Sequence, residues 1–284
     1  MEIKKMAFAG TWYPSTAAAC ESSIRSFLGK GQCVTKADIK GGIVPHAGWH
    51  YSGSIACRVI ASMASQTRVD TVILFGAHMR KQSEPFILSH GCLETPFGEI
   101  EADVGLVEKI CVGVRIRKKF AACFPDENTL ELQYPFIRYF FPDSKIVVCG
   151  APPSNFASII GSRVVNAANT LGRTIKVIGS TDMTHYGPDF GLTSAGTGED
   201  AVAWVARKND RAAIEALKEM DEQKIISQGL KHKNMCCPGA AAATASASKK
   251  MGAAKAIELD YATSFERNAS TSFVGYCGIL YAFF

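Results

Sequence analysis

Val72-Ile73-Leu74-Phe75-Gly76-Ala77-His78 is an apolar run that ends on two small residues and an imidazole. Thr71–Phe75 reads as a strand, and Gly76 and Ala77 after it clear room around the ring. The arrangement recurs twice. Ile39–Val44 leads into Pro45-His46-Ala47-Gly48, and Thr174–Ile178 leads through Ser180-Thr181-Asp182 to His185. Strands that end at one edge of a sheet deliver such residues to one cleft. Imidazole is the commonest metal ligand and a general base near neutral pH. The chain has six histidines in all, so three that converge point to a metal or acid–base site.

Outward from these runs, strands alternate with helical patterns. Pro85–Leu88, Lys145–Cys149 and Ser272–Phe283 also read as strands, the last an extended apolar segment that closes the sheet. Helices are expected at Thr16–Leu28 with Ser15 as N-cap, Ser54–Ala64, Val104–Cys111, Thr129–Phe140 with Pro135 kinking or splitting it, Ser154–Leu171, Glu199–Arg207, Asp210–Glu219 and Gly239–Met251. The last is almost all Ala and Ser, which implies a helix packed closely on a neighbour. Strand–helix alternation makes this an α/β layer fold. No long linker, repeat or low-complexity tract divides it, so residues 1–284 read as a single domain.

Composition narrows the function classes. Apolar residues make up 47% and charged residues 20%, which fits a globular chain with a sizeable core rather than a disordered one. The net charge of +5 is scattered. Its densest cluster, Arg115 to Lys119, reads as a solvated face without interleaved aromatics, so no nucleic-acid partner is expected. No stretch approaches the roughly 18–20 apolar residues of a membrane span, and no signal peptide is visible. A cytoplasmic protein without a membrane partner is expected. The ten cysteines, at 20, 33, 57, 92, 111, 123, 149, 236, 237 and 277, form no CxxC pair. Most read as small buried hydrophobes.

The chemistry-bearing residues follow. Pro45 favours an extended exit before His46, and Gly48 and Gly53 permit close approach to a ligand. His50 nearby is a weaker candidate. Arg80 and Lys81 make the field around His78 positive, which suits an anionic substrate or activation of bound water. Asp182 and His185, three apart, share a face on a helical turn, where a carboxylate fixes an imidazole's tautomer and raises its basicity. Cys236-Cys237-Pro238-Gly239 precedes the Ala-rich helix, and a helix N-terminus favours thiolate; a buried cysteine pair under a turn is the structural alternative. Glu127 and Glu131 share a helical face. A solvated helix start accounts for Asp126 and Glu127, whereas Glu131 and Gln133 sit among apolar residues.

These motifs together resemble the Memo family, the B component of the AmmeMemoRadiSam gene set. The matching stretches run in order: Ala9-Gly10-Thr11-Trp12-Tyr13-Pro14, Pro45-His46-Ala47-Gly48 with Tyr51-Ser52-Gly53, Gly76-Ala77-His78, Thr95-Pro96-Phe97-Gly98, Glu127 to Phe136, Ser180 to Gly187, and Ser272-Phe273-Val274-Gly275-Tyr276. The resemblance implies the fold of class III extradiol (LigB-like) dioxygenases, a central mixed sheet flanked by helices. It further implies His46 and His78 as metal ligands, Cys236 or, with a shift of one residue, Cys237 as the third, and His185 held by Asp182 as an acid/base residue. Two departures are visible. The family's Glu-His-Ser-Leu-Glu has Asn128 in place of its histidine, and Cys237 stands where a glycine usually follows the cysteine.

Two histidines and a carboxylate with open positions are the mark of oxygen-activating non-haem iron. A thiolate in place of the carboxylate softens the site toward copper or zinc. Three functions compete. The first is an iron- or copper-dependent, dioxygenase-like oxidoreductase acting on a small molecule, linked through the gene set to a radical SAM protein. The second is a non-enzymatic anion- or phosphopeptide-binding module that uses Arg80, Lys81 and His46. The third is a hydrolase with metal-bound water and Glu131 as base.

Overall fold

The structure is a computed structural model that describes residues 2–29, 37–64 and 68–284; Cys33 lies outside them. Among these residues nine strands form one sheet: β1 (Asp38–Val44), β2 (Thr71–Gly76), β3 (Phe86–Leu88), β4 (Arg117–Lys119), β5 (Lys145–Gly150), β6 (Ile175–Ser180), β7 (His185–Tyr186), β8 (Lys255–Thr263) and β9 (Phe273–Phe283). Their order is β7-β9-β1-β6-β2-β5-β3-β4, with β8 also on β9. The central pairs β1–β6, β6–β2 and β2–β5 are parallel, while β9 is antiparallel to β1 and to β8. The sheet is therefore mixed, as expected.

The helices are α1 (Ala17–Leu28), α2 (Ser54–Met63), α3 (Val104–Cys111), α4 (Asn128–Glu131), α5 (Tyr134–Phe140), α6 (Asn155–Thr170), α7 (Gly198–Trp204), α8 (Asp210–Glu219), α9 (Glu222–His232) and α10 (Pro238–Lys250). They cover both faces of the sheet. Along β2, Ile73 and Phe75 join one buried cluster with α6, α8 and α10, while Val72 and Leu74 join another with α2 and α5. This is the period-2 alternation of a strand buried on both sides.

Several boundaries differ from the sequence reading for identifiable reasons. Thr16, not Ser15, caps α1, because its side chain accepts from the Ala19 amide. Of the two outcomes expected at Pro135 the split is found: the residue divides Thr129–Phe140 into α4 and α5, since it occupies the first turn of α5, where a missing N–H costs nothing. The C-terminal strand β9 is paired on both sides rather than closing the sheet, because β8 lies outside it. Helix α9 and strands β4, β7 and β8 are additional to those read from the sequence. The basic cluster lies in part on β4, an exposed edge where Lys118 pairs with Glu108. Among the described residues no helix is long and apolar enough to cross a membrane.

The Ala-rich helix α10 is buried over Pro238–Ser248. Its small residues let α6 come so close that a Cβ on Gly161 would overlap the Ala243 carbonyl and the Ser246 side chain. Gly239 is wedged in the same way against Ala151 and Pro152, just past the end of β5. The N-terminus of α10, and the two cysteines before it, are thereby fixed at the carboxyl edge of the sheet. Gly161→Leu should lower the unfolding free energy by about 2 kcal/mol through overpacking. Urea denaturation measures this, and an unchanged midpoint would refute the close α6–α10 contact.

Candidate metal centre

The parallel strands β1, β6 and β2 are neighbours and point the same way, so their carboxyl ends open onto one crevice. His46 lies two residues past β1, His78 two past β2, and Asp182 two past β6. Ala77 takes φ 74°, a left-handed conformation uncommon for a residue with a Cβ. Its amide donates to Thr129 Oγ1 at 2.7 Å, which anchors the turn that presents His78. The loop between α9 and α10 supplies Cys236. Asp182 N–H donates to Cys236 Sγ at 3.2 Å, and the Cys236 amide donates back to the Asp182 carbonyl at 3.2 Å.

The structure brings together one ligand atom each from His46, His78, Cys236 and Cys237, all within 4.8 Å of one another. The His46 and His78 rings are 5.2 Å apart and nearly perpendicular. His46 Nδ1 lies 3.0 Å from Ser180 Oγ and its Nε2 lies 3.2 Å from Cys236 Sγ. His78 Nδ1 lies 2.9 Å from Glu127 Oε1. With each Nδ1–H donated to an oxygen, each Nε2 is left as the ligand atom, the arrangement of metal-binding histidines. Asp182 Oδ1 accepts the His46 amide at 2.7 Å, and Oδ2 lies 3.9 Å from both His46 Nε2 and His185 Nε2. His185 Nε2 is buried without a hydrogen-bond partner.

Burial works against a charged Cys236. It is outweighed by the Cys237 thiol's hydrogen bond and by His46 and His185, so Cys236 is held well below the usual thiol range. Burial, with the adjacent thiolate, pushes Cys237 well above it. The Cys236 sulfur and then Glu127 raise His78 to about 10, against burial. For His46 and His185, burial opposes protonation, but Asp182 and Cys236 prevail and raise both. Burial raises Asp182. Helix-terminal placement favours thiolate without choosing between the two cysteines; the surrounding side chains make Cys236 the thiolate.

Other residues fall elsewhere. Glu131 accepts the Ala7 and Phe8 amides and the Tyr13 hydroxyl, so it is a buried structural acceptor and the hydrolase reading loses its base. Glu127, read as part of a solvated helix start, is the carboxylate that reaches the site. Its spacing from Glu131 did not point to His78, because only the β2–α4 packing brings the two together. Asn128 Nδ2 donates to the His46 carbonyl at 3.3 Å. His50 packs on Tyr51 outside the group. Lys81 lines a separate cavity with Ser154 and Gln223. Buried Asp210, unremarked in sequence, accepts the Thr184 amide at 2.9 Å and the Tyr261 hydroxyl at 2.8 Å and so pins the His185 loop. A cavity of ≈ 410 Å³ adjoins His46 through Ala47 and Gly48, and adjoins His185 through Phe190, whose ring is 4.9 Å from the imidazole. Trp12, Tyr51 and Tyr276 also line it.

A sequence model described as "Memo-like protein" matches residues 4–280. Relatives described as MEMO1 family proteins include one from Pyrococcus furiosus, 30% identical over 288 residues and 98% of each chain. One from Methanosarcina acetivorans is 30% identical over 285 residues and 99% of each chain. One from Thermococcus onnurineus is 28% identical over 288 residues, 98% of this chain and 99% of that one.

The electrostatics give a pH prediction. A thiol of ordinary pKa loses about two orders of magnitude in thiolate between about pH 8 and pH 6. In metal-stripped protein, iodoacetamide labelling of Cys236 should fall far less than this over that interval, because its neighbours hold the thiol well below its ordinary range. Cys237 should stay unlabelled. Peptide mass mapping reads both, and a Cys236 rate that falls about a hundredfold would refute the thiolate assignment.

Proposed function

This chain belongs to the Memo-like protein family, and on that premise we propose that the crevice at the carboxyl ends of β1, β2 and β6 is a metal-dependent catalytic site. The reaction is of the oxidoreductase class, dioxygenase-like, on a small molecule. His46, His78 and Cys236 would hold the ion. The observation that carries the reading is the convergence of two oriented Nε2 atoms and a thiolate from three distant chain segments. Two imidazoles and a thiolate suit iron, copper or zinc. A bound iron or copper would supply redox chemistry at this point.

The remaining residues divide the work of positioning and proton handling. Substrate docks in the adjoining cavity, whose Trp12, Tyr51, Phe190 and Tyr276 walls favour a flat aromatic ring. His185 Nε2, without another partner, exchanges a proton with a substrate hydroxyl. Asp182 Oδ2, 3.9 Å from that nitrogen, stabilises the protonated form of the ring through its charge. The family's gene set supports a place beside a radical SAM protein in a modification pathway.

Metal content by mass spectrometry on anaerobically purified protein tests the site. A near-stoichiometric ion is expected, lost in His46→Ala. Absence from both proteins, or retention in the variant, would refute it. Loaded protein should then consume oxygen with at least one member of a catechol panel. His185→Ala should abolish that uptake while keeping the metal, and no uptake from any catechol would count against the reaction class.

A further inference from the structure

We infer that Cys237 is a fourth metal donor, completing a two-imidazole, two-thiolate set. The inference rests on the proposed metal site and names its ligand number.

Distances carry it. A tetrahedral site with metal–sulfur bonds of about 2.3 Å and metal–nitrogen bonds of about 2.0 Å sets two sulfurs about 3.8 Å apart and sulfur and nitrogen about 3.5 Å apart. The two sulfurs here are 3.7 Å apart, and Cys236 Sγ is 3.2 Å from His46 Nε2. His78 completes a group spanning no more than 4.8 Å. Shifts of a few tenths of an ångström to about one ångström would seat all four atoms on one ion.

The backbone that presents the sulfurs is fixed before any ion arrives. The Cys237 amide donates to Thr181 Oγ1 at 3.1 Å, Pro238 opens α10, and Gly239 is wedged against Ala151 and Pro152. The Asp182 amide already donates to Cys236 Sγ, as donors around metal-bound thiolates do. Two thiolates and two neutral imidazoles carry a charge of about −2, which a divalent ion neutralises.

Cobalt(II) titration of the reduced, metal-stripped full chain counts the thiolates optically. Wild type should give tetrahedral d–d bands and strong sulfur-to-cobalt absorption. Cys237→Ala and Cys237→Ser should halve that absorption per bound cobalt and weaken Zn²⁺ binding at least tenfold, with circular dichroism confirming that both variants fold. Full absorption in folded Cys237 variants would overturn the fourth donor while leaving the three-donor site standing. No cobalt or zinc binding by wild type, or binding indifferent to His46→Ala, would overturn the site itself and the inference with it.

Discussion

Asp182 ties together segments that are far apart in the chain. One carboxylate oxygen accepts the His46 amide, its backbone amide donates to the Cys236 sulfur, and its carbonyl accepts the Cys236 amide. The other carboxylate oxygen faces the Nε2 atoms of His46 and His185 at equal distance. Asp182 occupies this position because β6 lies between β1 and β2 and runs parallel to both. In a different strand order, the residue two past β6 would not stand among the residues two past its neighbours.

The second constraint is the approach of α10. A helix of ordinary side chains would stand off from the sheet and from α6 by the usual 8–10 Å between axes. With Ala, Ser and Gly at the contact, the helix sinks into the core. Its N-terminus then carries Cys236 and Cys237 to the strand ends. The thiolate and the close packing are therefore one feature seen at two levels, since the fit that positions the sulfur also buries it.

Burial alone would neutralise Cys236. The thiolate is retained because the imidazoles and a neighbouring thiol compensate it locally, at low dielectric, where such pairs are strong. The same groups hold each other's protons in a coupled network, so the site is organised around the negative charge on one sulfur. Such a pocket is suited to a cation.

Much of this was legible in the primary structure. The apolar runs ending in His46, His78 and Asp182–His185 located the strands and their functional ends, because β-strand patterning and small terminal residues are local signals. The Ala-rich run announced a closely packed helix for the same reason. Pro135 announced a break, although whether it kinks or divides the helix depended on packing. What the sequence by itself determined was the α/β alternation, the histidine-ended strands and the presence of cysteines before a small-residue helix. Tertiary structure alone decided that Glu127 rather than Glu131 reaches His78, that Cys236 rather than Cys237 carries the negative charge, and that Asp210 supports the His185 loop. These are contacts between residues 26 to 190 positions apart. They are set by strand order and helix approach, which no local pattern of residues encodes.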